Sequence, residues 1–431
     1  MRPIFLHAIR GVSGRARQLL LLLCAPAGLA AQSPRTPLTL AQLVDRLERS
    51  NPMLAAARSA ADAAYARIGP ASALPDPRAE FAVMNRMLPE LSTMSPLAMD
   101  QLTVTQMLPI ASRRAMTRAA EARARAVATG VATQRFAARR DAAEMLADWW
   151  QADAARTVMN ETRALLREGA AAASAMYGAG QAQQSEVLRM QAELTRMTAE
   201  WTAMDAMRHS AAARLSAMLD APLHADSVQP ELPAAIDAPT RDTTSAQSPD
   251  LLAAHHGVEA AAAAEALARR ERWPELEVGL SLGQRPNSTE RMVSVMAGAS
   301  IPVFAKQRQQ QMIQEMVAMR RMAEAEARGA AAENRAGVIE ATAALERARA
   351  LQRLYDGTLL PQLTAVRESA DAAYRAGTGS IEAVIDALMT LNTARIARLT
   401  ARADEVRVLA RLESLTGRAW LAVPLATENR P

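Results

Sequence analysis

The chain has 431 residues and a formal net charge of +5, with 50% hydrophobic but only 3% aromatic residues. So few aromatic side chains are unusual for a compact core, and the wealth of Ala, Arg, Glu, Leu and Met is typical of long helices and coiled coils. Because the arginines alternate with acidic residues along solvated helix faces, the basic pI does not indicate nucleic-acid binding, and no nucleic-acid partner is expected.

Residues 1–30 have the pattern of a secretory signal peptide. Four arginines and no acidic residue precede the apolar run Leu19 to Leu23, and the small residues APAGLAA follow. This order predicts export with cleavage near Ala30. No later stretch reaches the roughly 20 apolar residues that a membrane-spanning helix needs.

Cys24 is the single cysteine of the chain and falls inside this segment. It is either a lipid-attachment residue or part of the apolar core of the signal. Leu23 precedes it where a lipidated cysteine would follow a small residue, which favours the second interpretation. A mature chain without cysteine would contain no disulfide.

Residues 31–221 form the first of two predicted structural repeats. Hydrophobic periodicity and Pro-bounded segments give the order helix, strand, strand, helix, helix. The predicted elements are a short helix over about 39–69, strands over about 78–89 and 100–110, and long helices over about 111–176 and 184–220. A segment rich in Pro, Asp, Thr and Ser, 222–248, is expected to link the repeats.

Residues 249–420 repeat the same order and are followed by a tail, 421–431. The predicted elements are a short helix over 249–272, strands over about 274–284 and 291–304, and long helices over about 305–376 and 380–416. Asp356-Gly357 and Pro361 predict an interruption within the longer of these two helices.

Four pairs of segments indicate that the repeats arose by duplication. The repeats differ slightly in length near the last pair, because its members are 193 residues apart whereas those of the other three pairs are 197 residues apart. The pairs are SNP (50–52) and QSP (247–249), YGAG (177–180) and YRAG (374–377), RLSAML (214–219) and RLESLT (411–416), and MLPIASRRA (107–115) and SIPVFAKQR (300–308). An internal repeat of this kind predicts two copies of one structural unit.

The predicted strands alternate between apolar and polar residues. Leu276, Val278, Leu280 and Leu282, for example, alternate with Glu277, Gly279, Ser281 and Gly283. Strands of about ten residues with one apolar face suit a lipid-exposed β-barrel, although a soluble sandwich shows a similar alternation. Four strands cannot close a membrane barrel, so several chains would have to share one.

The helices that follow the two Tyr-x-Ala-Gly segments carry apolar residues at steps of three and four, which predicts a packed helical seam. The first stripe is Val187, Met190, Leu194, Met197, Trp201 and Met204, and the second is Ile381, Val384, Ile385, Leu388 and Leu391.

The Tyr-x-Ala-Gly segments themselves interrupt the helices. Gly180 and Gly377 can adopt the positive φ of a chain reversal, and Ser185 and Ser380 are candidate N-caps of the returning helices. Each turn could be an ordinary connection, but its recurrence in both repeats favours a shared role.

No enzyme, cofactor or metal site is predicted. The sequence has no phosphate-binding glycine loop, and the adjacent His255 and His256 are not expected to share a helix face. Five methionines lie close together and are either soft ligands suited to copper(I) or apolar filling in a chain with 23 methionines: Met84, Met87, Met94, Met99 and Met107.

From the duplication, the strand pairs, the long helices and the two turns, residues 39–420 resemble the TolC family of outer membrane efflux proteins, and loosely its heavy-metal branch. The resemblance implies a mainly α fold with β strands, in which three identical chains each give four strands to a twelve-stranded barrel in outer membrane lipid. The helices would continue this barrel as a long periplasmic tube.

The resemblance also implies a function: a passive exit duct for heavy-metal cations or drugs delivered by an inner-membrane pump of the RND type and a periplasmic adaptor. The two turns would lie at the periplasmic tip where the adaptor docks. The tip residues are Gly180, Gly377, Gly379, Ser185 and Ser380.

Four further residues match positions at the family's entrance. Asp386 matches an acidic residue that lines the narrow opening. Ala383 stands where a second acid is expected, so the acidic constriction is either weaker here or completed by Glu382. Tyr374 and Glu186 match residues that hold the closed state. The arginine that completes that contact in the family is Gly379 here.

An exported structural coiled-coil protein, such as a periplasmic adaptor, is the alternative. An adaptor would have a single helical hairpin with lipoyl-like or barrel segments, whereas this sequence has a duplicated order of strands and helices.

Overall fold

The computed structural model describes residues 35–86, 93, 97–233, 248–286, 288–418 and 421. The predicted signal peptide with Cys24, together with Met87 and Met94, lies outside these residues. Within the described ranges, no helix has the length and apolar character required to cross a membrane.

The first repeat begins with a short strand and three short helices, followed by a strand pair and two long helices. The elements are β1 Thr36–Thr39, α1 Leu40–Ser50, α2 Pro52–Ala66, α3 Ile68–Ser72, β2 Arg78–Met84, β3 Met99–Leu108, α4 Arg113–Gly178 and α5 Gln184–Leu219.

The second repeat follows the same order, with one interruption. Its elements are β4 Val228–Glu231, α6 Pro249–Arg270, β5 Glu275–Gln284, β6 Arg291–Ser300, α7 Gln309–Leu354, a π-helix at Tyr355–Leu359, α8 Leu360–Arg375 and α9 Ile381–Thr416. β6 ends earlier than the predicted 291–304, because Pro302 has no N–H for a strand ladder.

The interval 222–248, expected to link the repeats, is partly folded. β4 lies inside it and pairs in parallel with β1, so that Thr36 is opposite Val228. The backbone N–H of Thr36 also donates to the carbonyl of Ser227 at 2.9 Å. The start of the described chain is therefore fastened to the segment that joins the two repeats.

Each repeat contributes one antiparallel hairpin to a four-stranded sheet with the order β2-β3-β5-β6. The register aligns Phe81, Leu102, Leu282 and Val293 in one row across all four strands. This row is exposed in the single chain, and Phe81 keeps 66% of its surface accessible. The predicted alternation is confirmed, and the apolar face of the sheet has no cover within the described chain.

The opposite face of the sheet is polar. Thr103 donates a hydrogen bond to the Ser281 hydroxyl at 3.3 Å, and the Gln101 amide also donates to Ser281. Each strand therefore separates an apolar surface from a hydrogen-bonded one, as expected for a sheet with lipid on one side and water on the other.

The long helices pack around α4, which contacts α5, α6 and α9. Trp149, Leu215 and Leu409 are buried in the larger core cluster, which joins both repeats. Small alanines fill much of the remaining helix interface, and this allows the helix axes to approach one another closely. The core is consequently built with few aromatic residues.

Two buried ionic contacts also hold the helices together. Arg139 on α4 and Glu413 on α9 are each 4% exposed and lie 2.9 Å apart. Burial alone would raise the pKa of the Glu405 carboxyl, but hydrogen bonds from Gln352 and Arg349 and the charge of Arg402 outweigh burial and lower this pKa. Because these groups are buried, removal of one partner would leave a costly unpaired charge.

The helical stretch of the second repeat before its turn, Gln309–Arg375, is one residue longer than the 66-residue α4. The π-helix at Tyr355–Leu359 interrupts this stretch, and Pro361 follows in the first turn of α8. The predicted interruption is confirmed, and its form is a π-turn, which accommodates one extra residue within an otherwise α-helical stretch.

Candidate functional site

The turn between α4 and α5 is closed by three backbone hydrogen bonds. The N–H groups of Ala179, Gly180 and Gln181 donate to the carbonyls of Ala175, Tyr177 and Met176 at 3.1, 3.0 and 2.8 Å. Gly180 has a φ of +71°. A residue with a side chain would be strained there, which is the reason for the glycine.

The turn between α8 and α9 has the same backbone structure. Ala376, Gly377 and Thr378 donate to the carbonyls of Ala372, Tyr374 and Ala373, each at 3.0 Å, and Gly377 also has a φ of +71°. All these positions are 197 residues after their counterparts. The predicted positive φ of both glycines is confirmed.

The predicted N-caps behave differently. Ser380 caps α9, because its hydroxyl accepts a hydrogen bond from the N–H of Ala383 at 3.3 Å. The prediction for Ser185 is wrong: α5 begins at Gln184, and its N-cap residue is Gln183. The repeat offset makes Gln183 the counterpart of Ser380, whereas Ser185 lies in the first turn and donates to the Gln183 side chain at 3.2 Å.

Gly379 is required for a reason other than φ. A Cβ atom at this position would lie 3.0 Å from both the Cβ of Ala373 and the backbone nitrogen of Tyr374. The counterpart in the first turn is Ala182. The second turn is therefore packed more tightly than the first at this point.

The apolar stripes predicted after the two turns form one cluster. Met190 and Met197 of α5 and Ile381, Ile385 and Leu388 of α9 are buried together with Met159 and Leu166 of α4. The predicted seam is confirmed, and α4 lies between the two returning helices. The helices that follow the two turns therefore both pack against α4.

Tyr374 and Glu186, predicted to act together, are neighbours across the two turns. The Tyr374 hydroxyl donates to the Glu186 carboxylate at 3.5 Å and lies 3.8 Å from the sulfur of Met176. Burial raises the pKa of the Tyr374 phenol, and the nearby Glu186 carboxylate raises it further. The phenol is therefore held in its neutral, hydrogen-donating form.

A second contact between the repeats was not predicted from the sequence. Arg189 of α5 forms an ion pair with Glu382 of α9, and both side chains are more than half exposed. The two residues are 193 positions apart, and no local spacing relates them. Comparison of the repeats gives one signal. Arg189 is the counterpart of Asp386, so the two turns carry opposite charges at equivalent positions.

Asp386 lies on an exposed part of α9. It follows Glu382 by four residues, so both acids project from the same side of the helix. The structure thus places the two candidate entrance acids on one exposed face, with Glu382 also paired to Arg189.

A groove of about 450 Å³ lies beside the second turn, between α4, α5, α8 and α9. Its lining combines apolar residues, including Leu165 and Met190, with the charged Glu168, Arg367 and Asp371. The groove reaches Tyr374 and therefore adjoins the contact between the two turns.

The methionines of the sheet lie mainly at its two ends. Met84 and Met99 face each other across β2 and β3, whereas Met107 lies near the opposite end of β3, across from Glu277. Met99 also lies over Gly283, where a Cβ would come within 2.8 Å of its sulfur. The hypothesis of a copper(I) ligand set stays a prediction.

Comparison with known proteins gives one family and one fold. Residues 241–418, which include nearly all of the second repeat, match the family model described as outer membrane efflux protein. No match is found among curated proteins. The resemblance to outer membrane efflux proteins is thus supported by a family match over the second repeat.

Solved structures resemble the chain over both repeats. The Vibrio cholerae outer membrane protein VceC is 16% identical with a TM-score of 0.76, covering 88% of this chain and 96% of its own. The Campylobacter jejuni outer membrane channel CmeC is 14% identical with a TM-score of 0.76, covering 88% and 85%. The Neisseria gonorrhoeae outer membrane channel MtrE in its open state is 17% identical with a TM-score of 0.72, covering 88% of each chain.

At such identities these likenesses establish the fold, and the predicted fold class is confirmed. The family match over residues 241–418 agrees with the predicted efflux function and outer membrane location.

Proposed function

We propose that this protein is the passive exit duct of a tripartite system, in which three copies share one sheet in the membrane. The single observation that carries the proposal is the combination, in one chain, of an uncovered apolar sheet face and two equivalent turns at the far end of long helices.

The sheet supports a shared assembly. β2 and β6 are edge strands of the four-stranded sheet, and an unpaired edge in lipid leaves each backbone group unsatisfied at a cost of several kcal/mol. If β6 of one copy pairs with β2 of the next, three copies give a closed ring of twelve strands. The exposed rows that include Phe81 and Val295 would then face lipid.

The helices support a duct that extends away from the membrane. α4 has 66 residues and runs without interruption, which corresponds to about 100 Å at 1.5 Å per residue. It connects the sheet at one end to the turn with Gly180 at the other. The two turns of each copy would therefore form the distal end of the duct, in the periplasm.

Exposed apolar residues along the helices are consistent with contacts between copies. Ile339, Leu354 and Val366 are each more than half exposed on α7 and α8. A monomer gains nothing from their exposure, whereas contact with a neighbouring copy would remove apolar surface from water at about 25 cal/mol per Å².

We assign the periplasmic adaptor to the two turns because the turns have equivalent backbone structures. Each copy presents two turns with the same backbone, so three copies would present six similar docking points to a periplasmic adaptor. An inner-membrane pump, expected to be of the RND type, would deliver the substrate to the open end. Gly180, Gly377 and Gly379 shape these docking points, and Ser380 fixes the start of α9.

The entrance is assigned to α9. Asp386 and Glu382 share an exposed face near the turn, and three copies would arrange Asp386 as a ring of carboxylates. Such a ring attracts cations and excludes anions. Tyr374 and Glu186, which connect the two turns of one copy, would stabilise the closed arrangement of the entrance.

An exported structural coiled-coil protein does not explain the sheet. Its apolar face would remain in water, and its paired hairpins would have no role in a fibre or an adaptor.

The experiment is conductance in planar lipid bilayers with the purified full-length protein, after its mass in detergent has been measured. We expect three times the chain mass, an open channel, and a block by multivalent cations added at the periplasmic end. Asp386→Ala should raise the blocking concentration about tenfold, which corresponds to loss of roughly 1.4 kcal/mol of binding.

Asp371→Asn is the matched control, since it removes an equal charge near the same turn from α8, where Asp371 is paired with Arg375 at 2.8 Å. An equal effect of both variants would contradict the assignment of Asp386 to the entrance. A monomer without conductance would contradict the shared duct itself.

A further inference from the structure

We propose that α6 carries a binding site for a divalent transition-metal ion, formed by His255, His256 and Glu259. Each residue can offer one ligand atom, and these atoms lie within 4.8 Å of one another. The two histidines are adjacent on the helix, but their rings lie close together. Their ring centroids are 6.1 Å apart, and the ring planes meet at 68°.

His255 and Glu259 supply the first pair of ligands. They are separated by four residues and share a helix face. Nδ1 of His255 lies 3.5 Å from Oε1 of Glu259. Two ligands that each lie about 2.0–2.1 Å from a tetrahedral ion are separated by roughly this distance, so an ion can be inserted without rearrangement of the helix.

His256 supplies the third ligand, and Thr129 of α4 lies beside its ring. Thr129 donates its hydroxyl proton to the carbonyl of Arg125 at 2.9 Å. Its oxygen lies 2.6 Å from Nδ1 of His256 and can accept a hydrogen bond from the Nδ1–H tautomer of that ring. In this tautomer the lone pair of Nε2 is free to bind a metal.

Thr129 is therefore a positioning residue. A hydrogen bond to the second ring nitrogen is the arrangement that commonly orients a metal-bound histidine and selects its tautomer. His255 and Glu259 are exposed and His256 is half-buried, so an ion can reach the site directly from solvent.

The ligand set indicates the class of ion. Two imidazoles and one carboxylate suit borderline ions such as Zn²⁺, Ni²⁺ and Cu²⁺ better than Ca²⁺ or Mg²⁺, which prefer oxygen ligands. Three protein ligands leave a position open for water or another donor.

The first repeat does not contain this site. With the offset of 197 residues, the counterparts on α2 are Arg58, Ser59 and Asp62. Arg58 cannot bind a metal, and its guanidinium instead donates to the carbonyl of Glu48 at 3.2 Å. The inference therefore predicts one ion per chain rather than two.

The test is calorimetric titration of the full-length protein, purified in detergent without a polyhistidine tag, with ZnCl₂. We expect one Zn²⁺ per chain. His255→Ala and Glu259→Gln should each weaken binding about 100-fold, and Co²⁺ should give the visible absorption of a histidine-bound ion that the same variants abolish. His224→Ala, which removes an exposed histidine far from α6 in sequence, is the matched control and should bind as the unmodified chain does.

Thr129 supplies the second arm of the test. Thr129→Val should weaken Zn²⁺ binding about tenfold by loss of the orienting acceptor, and Thr129→Ser should restore it. The proposal is overturned if the unmodified chain binds no Zn²⁺, or if His255→Ala and Glu259→Gln bind it as tightly. Conductance is measured separately, so a channel without the metal site, or a site without a channel, would each be recognised.

Discussion

The two turns of this protein have the same backbone structure but present different side chains. Both reverse the chain with the same hydrogen bonds and a glycine at a φ of +71°. At equivalent positions, however, the first turn has Gln183 and Arg189, whereas the second has Ser380 and Asp386. Duplication has therefore preserved the geometry of the reversal, and the side chains on it have diverged.

The shared backbone and the different side chains of the turns have separate roles. The backbone determines where the returning helix begins and how it meets the shared seam, and it must be the same in both repeats. The side chains determine which charge each turn presents, and Arg189 contacts Glu382 of the other turn. The ion pair therefore joins positions that are not equivalent, since the counterpart of Glu382 in the first turn is the uncharged Ser185.

The largest effect is expected from a change to the shared backbone. Gly180→Pro and Gly377→Pro each impose a φ near −65° and remove a hydrogen bond, at a cost of about 3 kcal/mol or more. Amide hydrogen exchange at the altered turn should accelerate by a factor of about 100. Conductance block and gating should change, while the sheet still inserts into the membrane.

Gln184→Pro is the matched control. It places proline at the first residue of α5, where proline is tolerated, and the preceding Gln183 already has an extended backbone. Equal exchange rates in Gln184→Pro and Gly180→Pro would show that the turn does not depend on its positive φ.

A smaller effect should distinguish the two turns from each other. Gly379→Ala forces a methyl group to 3.0 Å from the backbone of Tyr374, and such overpacking costs about 1–3 kcal/mol. The first turn already has Ala182 at this position. Gly178→Ala, a control with open space around its Cβ, should be neutral or stabilising. If thermal unfolding of Gly379→Ala matches that of the control, the second turn is not more tightly packed.

The smallest effect concerns the two tyrosines of the Tyr-x-Ala-Gly segments. Tyr374→Phe removes a long hydrogen bond to Glu186 and should destabilise the closed entrance by about 0.5–1 kcal/mol. Tyr177 is 48% exposed, and Tyr177→Phe should change little. The fraction of time the channel spends open, recorded in bilayers, measures both variants, and an equal increase would contradict a specific role for Tyr374.

The same contact has a defined dependence on pH. The pKa of Tyr374 is raised above 10.0, first by burial and then by Glu186. Its stabilising effect is therefore complete below the pKa of an unfolded tyrosine and is lost as the pH rises through the higher pKa of the folded state. Tyr374→Phe should lack this alkaline loss.

Features that depend on local periodicity could be predicted from the sequence. The alternation through Leu280 and Leu282 gave the faces of the sheet, and the stripe from Ile381 to Leu391 gave the helical seam. Asp356-Gly357 and Pro361 located the interruption of the long helix, because glycine and proline weaken a helix wherever they occur.

Features that depend on pairing across the repeats could not be predicted in the same way. Residue type favours Ser185 as the cap of α5, whereas the offset between the repeats favours Gln183. The ion pair of Arg189 with Glu382 joins residues that only the fold brings together. Adjacency on a helix predicts that His255 and His256 do not share a helix face, but their rings lie edge to face with centroids 6.1 Å apart.

The π-helix of the second repeat limits how far the following helix, α8, is rotated about its axis. One residue inserted into a regular α-helix turns everything after it by about 100° about the helix axis. The wide turn at Tyr355–Leu359 takes up the extra residue before that rotation can be passed on. The helix that follows, α8, therefore keeps the side that it packs against α9. It leads into a turn with three hydrogen bonds that have the same spacing as those of the first turn. The local widening of one helical turn thus prevents a rotation of α8 against its neighbour.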